Sequence, residues 1–163
     1  MSLTKIYSPK KRTVYFQGVE LTDLMPDTDF SPKVEGEIVN VMHSADAEFS
    51  VASLDLSKAK NASFSVTIMG MSPTLNGIIK ASEAALAAGE ILAGPLVIDD
   101  QNNGITYTFP GAVLTTRPLH DAKTNGSMPT VLTFRGAMTV TISDTTNTSG
   151  FSAEYSAAFN AQF

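Results

Sequence analysis

Period-two alternation of apolar and polar side chains constrains this chain more than any other feature. Leu132, Phe134, Met138, Val140 and Ile142 fall on one parity and Thr133, Arg135, Thr139 and Thr141 on the other, with Gly136 between them. Successive side chains of a pleated strand point to opposite faces, so this pattern predicts a long, half-buried strand that bulges or bends at the glycine. Phe64, Val66 and Ile68 alternate with Ser63, Ser65 and Thr67, and Ile105, Tyr107 and Phe109 alternate with Thr106 and Thr108. The final stretch follows the same rule, with Phe151, Ala153, Tyr155, Ala157, Phe159, Ala161 and Phe163 on one face. Its aromatics also sit four apart, which leaves a helix as the rival. A strand is preferred there because small and large residues all obey the shorter period and a turn-rich stretch precedes it.

Shorter strands are expected at residues 14–17 and 19–24, joined about Gln17-Gly18, and at 37–42, 47–54 and 95–98. Residues 99–104, Asp-Asp-Gln-Asn-Asn-Gly, read as a polar hairpin turn. One helix interrupts the strands at about 73–88. Ser72 is its N-cap, Pro73 its first residue, Leu75, Ile78, Ile79 and Leu86 its apolar stripe, and Gly89 its stop. A helix with one apolar face lies against a sheet. The expectation is a mainly β domain over residues 13–142, built of two packed antiparallel sheets as a sandwich or open barrel with one flanking α-helix. A basic arm, 1–12, precedes it and a turn-plus-strand extension, 143–163, follows.

Composition narrows what such a domain does. At 163 residues and 43% hydrophobic, one core can bury roughly 70% of the unfolded surface. Eleven Lys and Arg against sixteen Asp and Glu give a net charge of −5, the wrong sign for gripping nucleic-acid phosphates. Without cysteine there is no disulfide, thiolate metal site or thiol nucleophile, and two histidines are a thin supply of general bases. No apolar run reaches the ~20 residues of a membrane span, and no secretory signal is expected at the N-terminus.

His43-Ser44 with Asp46, and His120-Asp121, place triad residue types close in sequence, but a triad is a spatial arrangement that neighbours rarely form. No nucleophile elbow, phosphate loop or dinucleotide fingerprint is present. Residues 99–104 lack the alternating acids and closing Glu of a calcium loop. Asn61-Ala62-Ser63 and Asn147-Thr148-Ser149 match the glycosylation pattern, which is frequent by chance. The expectation is therefore no enzyme, no cofactor and no metal.

Charge is segregated along the chain. Residues 1–12 hold Lys5, Lys10, Lys11 and Arg12 and no acid, whereas residues 13–55 hold nine acids and Lys33 alone. A basic end and an acidic surface suit head-to-tail self-assembly, beside the plainer reading of a solvated face. Strand edges favour assembly, because edges must be paired, covered or charged, and the apolar terminus Phe159-Asn160-Ala161-Gln162-Phe163 has no lysine to guard it.

The order of segments from residue 13 to 137 resembles the tail tube proteins of tailed bacteriophages. The resemblance rests on the first hairpin, the acidic segment from Asp27-Thr28-Asp29 to Gly36-Glu37, and Ser57-Lys58-Ala59-Lys60-Asn61-Ala62-Ser63-Phe64-Ser65-Val66-Thr67-Ile68-Met69 followed closely by Ser72-Pro73-Thr74-Leu75-Asn76. It continues through Pro95-Leu96-Val97-Ile98-Asp99-Asp100, Gly111-Ala112-Val113-Leu114-Thr115-Thr116-Arg117-Pro118 and the long strand at Phe134. The tube proteins of phage-derived contractile injection systems are similar.

That resemblance implies a tail-tube-like fold and a virion structural role, the major tail tube subunit, assembled in the host cytoplasm. Hexameric rings would stack into a hollow tube whose strands join into one barrel, conducting DNA during ejection. Partners implied are further copies of the chain, the tape-measure protein and DNA in the lumen without specific binding, and sheath, baseplate and tail-terminator proteins, with no membrane. An acidic lumen repels phosphate. Parity and charge make Glu35, Glu37, Asp46 and Glu48 the lumen candidates. Candidate inter-ring and inter-subunit contacts are Lys10, Lys11, Arg12, the loop 53–61 with Asp55, Lys58 and Lys60, and Phe159 and Phe163. The alternative is a virion decoration or adhesin-like β-sandwich that binds through its loops.

Overall fold

Gln17 and Gly18 both take positive φ, 53° and 78°, the backbone a two-residue turn needs between right-twisted strands. They join β1 (Arg12–Phe16) to β2 (Val19–Glu20). The computed structural model describes Tyr7 and residues 11–26 and 28–143. Lys10, Phe159, Phe163 and the expected C-terminal strand lie outside the described residues.

Seven strands form one antiparallel sheet in the order β2-β1-β6-β7-β10-β5, with β11 paired to β7 off this path. Its members beyond the first hairpin are β5 (Asn61–Ile68), β6 (Ala93–Asp100), β7 (Ile105–Leu114), β10 (Thr130–Ala137) and β11 (Thr139–Ile142). Two hairpins stand apart from it: β3 (Val39–His43) with β4 (Ser50–Leu54), and β8 (Asp121–Lys123) with β9 (Gly126–Met128). The helices are α1 (Leu56–Lys60) and α2 (Pro73–Ala87). The architecture is mainly β and antiparallel, in an open rather than a closed arrangement.

The long alternating stretch divides where it was expected to bend. β10 pairs with β5 along its whole length but with β7 only at Phe134 and Arg135, after which β11 takes up the other half of β7. The break falls at Met138, whose N–H donates to the Lys60 carbonyl at 2.8 Å. Gly136 serves the crossing: a Cβ there would meet the Gly111 carbonyl oxygen at 3.1 Å. This crossing curls the sheet. The rings of Phe16 and Phe134, on strands separated by β6 and β7, meet with centroids 4.9 Å apart.

Between the facing halves lies the core, in which Phe64, Val66, Ile68, Leu96, Ile98, Phe109, Leu132 and Phe134 are fully buried. Each such side chain contributes about 1.5–3 kcal/mol of transfer free energy. The outer edge of β5 is covered, not paired in a full ladder. The second strand ends at Glu20, short of residue 24; Asp23, at φ 61°, turns the chain, which then crosses to make single bridges, Leu24 to Ile68 and Lys33 to Ser63.

α2 begins as its sequence dictates. The Ser72 hydroxyl accepts the Thr74 N–H at 3.2 Å and donates to the Asp23 carboxylate at 2.8 Å. Leu75 and Ile78 are buried, but Ser82 continues the inward face in place of Leu86, which is 47% exposed. Gly89, at φ 72°, ends the helix. The expectation of a single helix is corrected by α1. Residues 53–61 are not a loop but the end of β4 and one helical turn, capped by the Asp55 carboxylate, which accepts the Lys58 N–H at 3.1 Å. One turn is too short to show a 3.6-residue period, so the pattern could not reveal it.

Candidate assembly surface

β3 and β4 form a two-stranded ribbon in which every residue is exposed. Cross-strand register sets Val39 opposite Leu54 and Val41 opposite Ala52 on one face, and Met42 opposite Val51 on the other. Met42 is 62% exposed, Leu54 54% and Phe49, just before β4, 66%. The ribbon thus exposes apolar side chains on both faces and leaves both long edges unpaired among the described residues, the features of an interaction surface.

The ribbon's turn is tightly specified. The Ser44 N–H donates to the Phe49 carbonyl at 2.7 Å, the Ser44 hydroxyl accepts the Phe49 N–H at 3.1 Å and donates to Asp46, and Asp46 Oδ1 also accepts the Glu48 N–H at 3.2 Å. These bonds, the Ser44 hydroxyl first and the Glu48 N–H second, hold the Asp46 carboxyl below its ordinary range. Ala47 takes φ 58° to make the turn, so β4 starts at Ser50 and not at residue 47. His43 Nδ1 lies 2.6 Å from Ser50 Oγ, not near Ser44, so no relay joins His43, Ser44 and Asp46. His120 Nε2 pairs with Asn76 Oδ1 at 2.6 Å.

The four lumen candidates are divided between the ribbon's two ends. Glu35 and Glu37 precede β3 at the base, and Asp46 and Glu48 lie in the turn at the tip. A five-residue strand at ~3.3 Å per residue separates the pairs by roughly 17 Å. All four are exposed. At the base, Glu37 shares a hollow of about 490 Å³ with Asp55 and Lys58. Glu35 lines a neighbouring cleft with Lys58, Lys33 and Arg135.

The other contact candidates divide differently. Lys11 is exposed, while Lys58 and Lys60 occupy the last turn of α1. Arg12 is turned inward: its Nε lies 3.4 Å from Asp100 Oδ1, and its Cζ sits 4.9 Å from the centroid of the Tyr7 ring and 5.6 Å from that of Phe30. Residues 101–104 are the turn between β6 and β7, in which Asp100 accepts the Asn102 N–H at 3.1 Å and the Asn103 side-chain amide at 2.7 Å. No group of three or more His, Asp or Glu placed to hold a metal occurs among the described residues.

Two features escaped the sequence. Arg117 grips Glu83 of α2 through two parallel bonds, Nε–Oε1 at 2.8 Å and Nη2–Oε2 at 2.9 Å, and so holds the Glu83 carboxyl below its usual range. Arg135 was legible only as an outward residue of its strand; nothing local placed it beside Lys33 and Lys58.

The fold is a curled antiparallel sheet with two separate hairpins, of which β3–β4 is exposed at every strand residue. Neither a protein-family model nor a curated protein sequence matches the chain. Among solved structures, the fold is similar to the cryo-EM structure of the anti-feeding prophage cap, a tube-terminating cap. The TM-score is 0.57 over 88% of this chain and 95% of that chain, at 9% identity. The likeness is one of fold.

Proposed function

We propose that this chain is a structural subunit of a phage-type tail, the major tube protein, assembling as hexameric rings that stack into a hollow conduit for DNA. The observation that carries the reading is the β3–β4 ribbon. An isolated two-stranded ribbon is marginal in water, and this one exposes apolar side chains on both faces, so its stable state is one in which another copy covers it. The likeness in fold to a tube-terminating cap supports the same class of role. Glu35 and Glu37 at the ribbon's base and Asp46 and Glu48 at its tip are the lumen candidates of this reading, and a net charge of −5 suits a wall that DNA passes without sticking. The tape-measure protein and DNA would occupy the lumen, and sheath, baseplate and terminator proteins would meet the tube from outside and at its ends. No catalytic step belongs to this role.

A second reading is favoured by one observation, that the similarity spans 95% of a cap chain: the protein closes a tube as a single ring and does not extend it. Negative-stain microscopy of the purified protein over a concentration series separates the two. Tubes of stacked rings are expected for the first reading, and rings that never stack for the second. A monomer at every concentration overturns both.

A further inference from the structure

Beside the base of the ribbon lies a cleft of about 620 Å³. Ala62 of β5, Val113 of β7 and Gly136 of β10 give it a small, apolar lining, and Lys33, Lys58 and Arg135 bring three cations against the single acid Glu35. Lys33 is already paired with Asp29 at 3.1 Å. The side chains of Lys58 and Arg135 have no ion-pair partner among the described residues. Three strands and α1 thus converge on a hollow with surplus positive charge and room for a ring.

The tip of the ribbon carries the complementary set. Asp46 and Glu48 supply two carboxylates beside Phe49, the most exposed phenylalanine among the described residues, and the Ser44 bonds fix the turn in one shape. A tip held rigid loses little freedom on docking. It sits roughly 17 Å from its own base, at ~3.3 Å per strand residue, so a tip that enters the cleft beside that base belongs to another molecule.

The geometry points to the β3–β4 tip of a second copy of this chain as the occupant of the cleft, with Phe49 on the lining of Ala62 and Val113 and with Asp46 and Glu48 facing Lys58 and Arg135. This rests on the self-assembly reading above and makes Asp46 and Glu48 contact residues and Glu35 part of the filled cleft, leaving the lumen to Glu37. The contact is heterologous. Each copy offers one tip and one cleft, so repetition closes a ring or extends a filament.

The chain has no cysteine, so two single variants, Glu48→Cys and Arg135→Cys, report the contact directly. Mixed under the conditions in which the wild type assembles and then oxidised, they are expected to give a disulfide-linked dimer of the two chains. No such dimer overturns the proposal. So does an efficient cross-link between Arg135→Cys and Phe159→Cys placed in one chain, which gives the cleft to the C-terminal residues.

Charge reversal is the second arm. Lys58→Glu/Arg135→Glu and Asp46→Lys/Glu48→Lys are each expected to lose rings, and their equimolar mixture to regain them, because reversed tips and reversed clefts then alternate. Circular dichroism of each variant alone verifies that it is folded. Rings retained by either variant, or absent from the mixture, overturn the contact while leaving the assembly reading intact. A wild-type chain that stays monomeric in the same experiment removes the assembly reading itself.

Discussion

Two serine hydroxyls fix the backbone at places of opposite character. Ser72 is buried and serves both the first turn of α2 and the Asp23 carboxylate, so Ser72→Ala is expected to cost about 1–2 kcal/mol. Urea unfolding should report this as a lower midpoint at unchanged slope. Ser44 is the main cause of the depressed Asp46 pKa, and Ser44→Ala is expected to move that carboxyl back up toward the ordinary aspartate range in an NMR-detected titration. Because the folded pKa is the depressed one, the bond's stabilisation is present above the ordinary aspartate pKa and is lost as pH falls through the folded value. Wild type and Ser44→Ala should therefore differ more at neutral pH than in strong acid, where only the lost Phe49 N–H bond still separates them. The cap at Ser72 was legible because capping is local. The surroundings of Arg12 were not, because Phe30 and Asp100, which lie against its guanidinium, come from other stretches of the chain.

Among the elements, the strands were the most legible, because alternation is a property of the sequence itself. Its parity placed Phe64, Phe109, Leu132 and Phe134 in the core, where all four lie. Strand ends were less so, since Asp23 and Ala47 turn the chain with positive φ at residues whose type does not announce it. α1 and the β8–β9 hairpin are each too short to carry a period. The core and the ribbon should answer mutation in opposite ways. Phe134→Ala is expected to destabilise the monomer by about 3–5 kcal/mol through the cavity it leaves. Val41→Ser with Met42→Ser, on the exposed ribbon, should shift monomer unfolding by no more than about 0.5 kcal/mol per site while abolishing assembly in sedimentation velocity. A ribbon variant that loses monomer stability as Phe134→Ala does would place β3–β4 in the core and defeat the argument from exposure.

At the scale of the molecule, the charges of the candidate site could be read from the sequence but their meeting could not. Lys33, Lys58 and Arg135 come from three separate stretches, and β5 brings them to one cleft: Lys33 bridges to Ser63, Arg135 stands opposite the same Ser63 on β10, and α1, which carries Lys58, runs straight into β5. If opposite charges join the copies, ring formation should weaken as salt rises, because the screening length falls from ~10 Å at 0.1 M to ~3 Å at 1 M. The onset concentration for rings, followed by light scattering, should move upward over that range. Salt-insensitive assembly would mean that the apolar faces of the ribbon alone hold the copies together.

The ribbon that contributes no side chain to the core also has a consequence for descent. The interior asks only that apolar residues keep their parity, a demand that many sequences meet, so two chains at 9% identity can share the fold. β3–β4 is released even from that demand and, in the proposed contact, answers only to the cleft that receives it. In lineages of this chain, changes at positions 46 and 48 should be fixed in step with changes at 58 and 135, so that tip and cleft diverge as a matched pair and subunits of one lineage cease to join those of another.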